Sequence, residues 1–269
     1  MKAIKIIIFS LITCFILAAT WTTQKFVLVK TITQSQILPF TTDRLGNTYT
    51  YSESSIFKYS LNSENPITFS KKDLNGISFV DASNPLKTLV FYKDFQTVLF
   101  LDNTLSPNGD PIVLSDYNIN QPLAVCTSNN NNFWVYNNEN AQLICFDNKM
   151  QQIFKSGNIN QLLNSSIQPN FITEQTNFVY VNDPALGVLI FDTYANYIKT
   201  LPIKNLKSFQ VIGETIFYYS ENTLKTYNSR TLTENTIKIP NAETIFCRIE
   251  QQKIYIQKKL GIEIFDVEF

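Results

Sequence analysis

One short pattern recurs six times along the chain and limits what it can fold into. It is an apolar strand-like segment that ends in an aromatic or aliphatic residue and then a polar one. The copies are residues 56–60 (IFKYS), 98–102 (VLFLD), 143–147 (LICFD), 188–192 (VLIFD), 224–228 (LKTYN) and 262–266 (IEIFD). From Tyr59 through Leu101, Phe146, Phe191 and Tyr227 to Phe265 the spacings are 42, 45, 45, 36 and 38 residues. A period of roughly 40 residues marks a propeller or a solenoid. Short apolar runs of this kind read as strands.

Each copy belongs to a unit of four strands. In the third, residues 123–127 (LAVCT) and 133–136 (FWVY) precede the marker, and residues 151–155 (QQIFK) follow it as a more polar strand. The fourth copy repeats this with residues 169–173, 178–181, 188–191 and 197–201. Four strands in 40-odd residues is one propeller blade. One short helical turn is expected over residues 158–165. The chain ends just after the third strand of copy six, whose fourth strand is missing. A spare strand lies at the other end, residues 25–32 (KFVLVKTI), and resembles fourth strands such as residues 236–239 (TIKI). The expected fold is therefore all-β: a six-bladed β-propeller of four-stranded blades, with the N-terminal strand completing the last blade and two exposed edges removed.

In strand plan the chain resembles six-bladed propellers of the NHL-repeat, TolB-like and lactonase-like groups. It carries no Asp-box, no Trp-Asp dipeptide closing its blades as in WD40 repeats, and no YWTD motif. A shared propeller plan does not carry function from one group to another.

Residues 1–20 (MKAIKIIIFSLITCFILAAT) place Lys2 and Lys5 before an apolar run from Ile6 to Leu17, followed by small residues. This is the pattern of a secretory signal peptide with cleavage near residue 20, leaving residues 21–269 as a single propeller domain. The run is short for a membrane span, so the mature chain is expected to have none. A lipobox-like reading on Cys14 stays open as a second route to the envelope. An exported protein of the bacterial periplasm or outer envelope is the expectation.

The 269 residues include no histidine. That removes the Ser-His-Asp triad, the Cys-His pair and imidazole zinc sites. Charge is balanced, with 22 basic and 22 acidic residues, which argues against nucleic acid as a partner. Cys126, Cys145 and Cys247 sit in apolar strands and read as buried free thiols. Gly is scarce and Asn abundant, so Asn and Asp are expected to build the turns.

Propeller ligands meet the face made by two sets of loops. The residues entering the first strands are Gln34, Gln36, Asn75, Asn120, Gln121, Gln168, Asn170, Lys207, Asn241 and Glu243. One carboxylate among amides is a poor site for a hard cation, and no cofactor is expected. The turns between second and third strands carry Glu53, Asp94, Glu139, Asp183 and Glu221, then Lys258 and Lys259. On a closed ring these form an acidic arc with a basic notch, which could steer a cationic partner. The favoured reading is a non-enzymatic envelope module that binds another protein. Two alternatives remain: the lactonase-like groups imply a hydrolase with a channel-bound divalent cation, and the Asn-rich turns around Trp134 and Asn138 allow a glycan-binding surface.

Overall fold

The computed structural model describes residues 25–74, 76–240 and 243–268. The leader and Cys14 lie outside the described residues, as do Asn75 and Asn241. Six four-stranded antiparallel sheets make a six-bladed β-propeller. Blade 1 comprises Phe40–Thr42, Thr48–Tyr51, Ser55–Tyr59 and Ile67–Ser70. Blade 2 comprises Phe79–Asp81, Thr88–Tyr92, Thr97–Leu101 and the two residues Ile112–Val113. Blade 3 comprises Pro122–Thr127, Phe133–Asn137, Gln142–Phe146 and Gln152–Lys155. Blade 4 comprises Phe171–Gln175, Phe178–Asp183, Gly187–Asp192 and Tyr197–Leu201, and blade 5 Gln210–Ile212, Thr215–Ser220, Thr223–Asn228 and Glu234–Ile237.

Blade 6 is built from both ends of the chain. Phe246–Glu250, Lys253–Lys258 and Gly261–Glu268 supply three strands, and Lys25–Thr33 supplies the outermost. The closing pair runs antiparallel from Lys25 against Glu268 to Thr33 against Gly261, with a bulge at Val29. Gly261 is glycine for a steric reason. Its φ is +148°, and a Cβ there would lie 2.1 Å from the Ile32 carbonyl oxygen. Lys30 Nζ then donates to the carbonyls of Ser60 (2.7 Å) and Ser63 (2.6 Å), tying the closing strand to blade 1.

The strand plan follows from packing. In blades 2 to 4 nearly every residue of the second and third strands is buried, because a neighbouring blade covers each face. Such strands need apolar residues at consecutive positions rather than alternation. Fourth strands form the rim and are mostly exposed, as in Gln152–Lys155. In four of the markers the closing polar residue caps the next turn; Asn228 Oδ1 accepts from Arg230 N and Thr231 N. Asp102, Asp147 and Asp192 each accept two backbone N–H bonds of 2.8–2.9 Å through Oδ1, from the residues two and four positions ahead. Six asparagines (118, 131, 164, 177, 205 and 222) take positive φ where glycine would otherwise be needed. The single α-helix among the described residues, Ile159–Leu163, is capped by Asn158 Oδ1, which accepts from Gln161 N at 2.9 Å.

Blade 5 departs from this regularity. Its second and third strands are buried only in part. Ile216 and Tyr218 pack towards blade 4, while Leu224 faces blade 6 beside half-buried Tyr219 and Ile237. The fully buried core of the seam between blades 5 and 6 is small: Leu224, Cys247, Ile254 and Ile256.

Candidate functional site

The six first strands surround a central channel. Loops between blades and turns between second and third strands share one face, as bonds between them record: Gly76 N to Glu53 O, Asn138 N to Gln121 O, and Gln34 N to Leu260 O. Where the first strands leave this face the channel is ringed by Phe40, Phe79, Phe171, Phe209 and Phe246. Ring centroids are 5.5 Å apart for Phe40–Phe246, 5.7 Å for Phe79–Phe171 and 5.1 Å for Phe171–Phe209, all edge-to-face. Blade 3 offers no phenylalanine here, only Leu123, Ala124 and Val125, and Phe79 reaches past it to Phe171. A cavity of about 370 Å³ lies over blade 3 at that point.

Beyond this collar, polar side chains in and beside the channel bind blade to blade. Asp81 of blade 2 accepts from Thr127 N and Thr127 Oγ1 of blade 3, both at 2.8 Å, and from Ser83 N at 2.9 Å. Glu174 of blade 4 accepts from Trp134 Nε1 and Asn129 Nδ2 at 2.6 Å and from Ser128 Oγ at 2.5 Å, all from blade 3. Gln210 of blade 5 holds the Ile249 backbone of blade 6 by two 2.8 Å bonds. Arg248 of blade 6 donates from Nε to Thr42 Oγ1 of blade 1 at 3.2 Å.

A cavity of about 1530 Å³ fills the channel and runs outwards into the seam between blades 5 and 6. Its charged lining is Arg44, Asp81, Lys207, Arg248 and Glu250. Burial pulls the Arg248 guanidinium down to about 10, against the opposing pull of Glu250 and Asp81, so it stays cationic at neutral pH. Burial raises the Glu250 carboxyl, and Arg248 opposes that rise. Tyr51, in the same wall, is pushed up to about 12 by burial.

The turn residues of the expected arc are spread over this face. Glu53, Asp94 and Glu139 are exposed, and Glu139 Oε2 accepts from Asn120 Nδ2 at 3.1 Å. Glu221 is exposed and paired to Lys225 at 3.0 Å. Asp183 is 3% exposed. Its carboxylate accepts from Gln168 N (2.6 Å), Ala185 N (2.9 Å) and Leu186 N (2.6 Å), so it builds the turn rather than facing solvent. Lys258 is half-buried and paired with Glu263 at 2.5 Å, leaving Lys259 as the exposed cation of the notch. Trp134 is 1% exposed, with its indole N–H on Glu174, so its ring offers no sugar-stacking surface. The Asn138 amide is occupied by Gln121 and Gln168.

Of the residues entering the first strands, Gln36, Asn120, Gln121, Gln168, Asn170, Lys207 and Glu243 are exposed, and Gln34 is buried. Among the described residues no three Cys, Asp or Glu side chains converge as a metal ion would require, and no helix is long and apolar enough to cross a membrane. Cys126, Cys145 and Cys247 are free and buried. Burial pushes Cys145 and Cys247 up to about 12 and raises Cys126 well above the ordinary thiol value, which keeps all three as thiols rather than nucleophilic thiolates.

Sequence reasoning did not single out the phenylalanine collar or Arg248. The collar had a signal: Phe40 and Phe79, and then Phe171, Phe209 and Phe246, recur at 39, 38 and 37 residues, the period of the blades.

No protein-family model matches the chain, and none of the curated proteins does. Among solved structures, a streptogramin B lyase superimposes with a TM-score of 0.59 at 11% identity, covering 91% of this chain and 97% of that one. A catalytically inactive virginiamycin B lyase from Staphylococcus aureus, with a histidine replaced by alanine and solved with quinupristin, gives 0.56 at 10% over 90% and 99%. The WD40 domain of Neurospora crassa Pan2 gives 0.56 at 9% over 87% and 82%. Likeness at these identities is likeness of fold.

Proposed function

We propose that the chain is an exported, non-enzymatic propeller of the cell envelope, a rigid disc whose loop face docks another protein. The observation that carries this reading is the use made of the polar groups on the first strands and their adjoining turns. Asp81, Glu174 and Gln210 are each engaged by two or more hydrogen bonds to a neighbouring blade, and Asp183 by two within its own turn and one from Gln168 N of the loop entering the blade. Carboxylates held this way stiffen a scaffold and are poor general bases, which need a free lone pair aimed at substrate. The lyase neighbour is inactivated by loss of a histidine, a residue this chain lacks. Exposed Glu53, Asp94 and Glu139 on successive blades, with Lys259 on adjoining blade 6, favour a partner presenting basic side chains. Export rests on the leader-like residues 1–20.

Photo-crosslinkers placed at Glu53, Asp94 and Glu139 in intact cells test the docking face. One discrete crosslinked protein is expected from these positions and none from Leu86 or Arg230 on the opposite face. Equal labelling from both faces, or none, rejects the reading. The intact mass of the protein isolated from its source is expected to begin near residue 21.

A further inference from the structure

Arg248 has a guanidinium whose described hydrogen bonding stops at Nε. Thr42 Oγ1 takes that proton, and neither Nη group has a hydrogen-bond partner among the described residues. It lines the same cavity as the blade 5–6 seam. In that seam the cavity wall is apolar: Phe217 and Leu224 from blade 5, Ile254, Val267 and Phe26 from blade 6. Phe26, Phe217 and Val267 are only half-buried, unlike the matching strands of blades 2 to 4. The charged lining counts three cations, Arg44, Lys207 and Arg248, against two anions, Asp81 and Glu250. Asp81 is already satisfied by blade 3. The cavity therefore has one unbalanced positive charge, two free N–H-bearing nitrogens in planar array, and an adjoining apolar slot.

We propose that this cavity binds an amphipathic organic monoanion, with its carboxylate on the Arg248 Nη groups and its hydrocarbon tail in the seam between blades 5 and 6. A guanidinium presents parallel N–H groups matched to a carboxylate. A single negative charge neutralises the lining, whereas a dianion would face Glu250 with charge to spare. The tail is required as well as the head, because most of the lining is hydrocarbon and apolar burial supplies the larger driving force. The volume of about 1530 Å³ exceeds what a chain of about ten carbons needs. This site is independent of the docking face, and either reading stands if the other fails.

Decanoate, decanol and acetate, titrated separately into the purified full chain by calorimetry, provide the test. Decanoate is expected to bind once per chain, decanol at least tenfold more weakly, and acetate not measurably. Arg248→Gln is expected to weaken decanoate tenfold or more and leave decanol unchanged, while Arg248→Lys recovers part of the loss. Thr226→Phe, which narrows the slot without touching the charge, is expected to weaken both long-chain probes. Equal affinity for decanoate and decanol in the unmodified chain overturns the proposal without recourse to any variant. So does the absence of saturable decanoate binding, or a Thr226→Phe variant that binds as before.

Discussion

Two carboxylates show how single residues hold the ring. Glu174 gathers the indole N–H of buried Trp134, the Ser128 hydroxyl and the Asn129 amide, so blade 3 is fastened to blade 4 at one point. Glu174→Ala leaves the Trp134 donor buried with no acceptor, at a cost of about 3 kcal/mol. For a chain this long that lowers the midpoint of thermal unfolding by roughly 6–12 °C, measurable by calorimetry; an unchanged midpoint contradicts the fastening role. Asp102 acts locally. The Thr104 hydroxyl, and then the Ser106 N–H, hold its carboxyl below the usual carboxylate value. A group depressed on folding stabilises the native state above its unfolded pKa of about 3.9, and that contribution fades as pH falls through the native value. An NMR titration of Asp102 is expected to give a midpoint below 3.9, rising towards it in Thr104→Val. A midpoint at or above 3.9 in the parent protein rejects this role.

The strand that decides the architecture is Lys25–Thr33. It fills the outer place in blade 6 and binds blade 1 through Lys30. Gly261 is the tightest point of that pairing, because any Cβ there meets the Ile32 carbonyl. Gly261→Ala is expected to push the closing strand off its partner. Hydrogen exchange should then show residues 25–33 losing protection while blades 2 to 4 keep theirs. Protection of that strand at parent levels argues against Gly261 as the steric gate. The same geometry occurs at Gly187, where a Cβ would lie 2.2 Å from the Leu201 carbonyl. There the fourth strand is continuous with its blade, so Gly187→Ala distorts blade 4 without opening the ring.

On the scale of the whole molecule, the ring is one body by virtue of its ties. The three thiols sit in blades 3 and 6, so they report on different sectors. With rising denaturant all three are expected to become reactive towards an aromatic disulfide at a common midpoint; separate midpoints mean that blades part independently. Much of this body was legible in the sequence. The marker strands betrayed the blades because packing on both faces demands unbroken apolar runs, and Asp102, Asp147 and Asp192 after three of the markers cap the turns that follow. The missing fourth strand of copy six and the spare strand near residue 25 announced the closure. The cavity was not legible. Which first-strand side chains meet across the axis depends on the ring's radius and stagger, and no local pattern in Arg248 or Phe217 encodes either. Asp183 was misplaced for a related reason: a turn acid that caps its own backbone has the same sequence signature as one that faces water. The way blade 6 is assembled also fixes an order of events in the cell. A chain delivered from its N-terminus carries Val27, Leu28 and Val29 on an unmated edge until Gly261–Glu268 has emerged. Of the propeller's strands, the one made first is the last to be seated, and a chain stalled before residue 261 holds five finished blades and an unpaired strand edge.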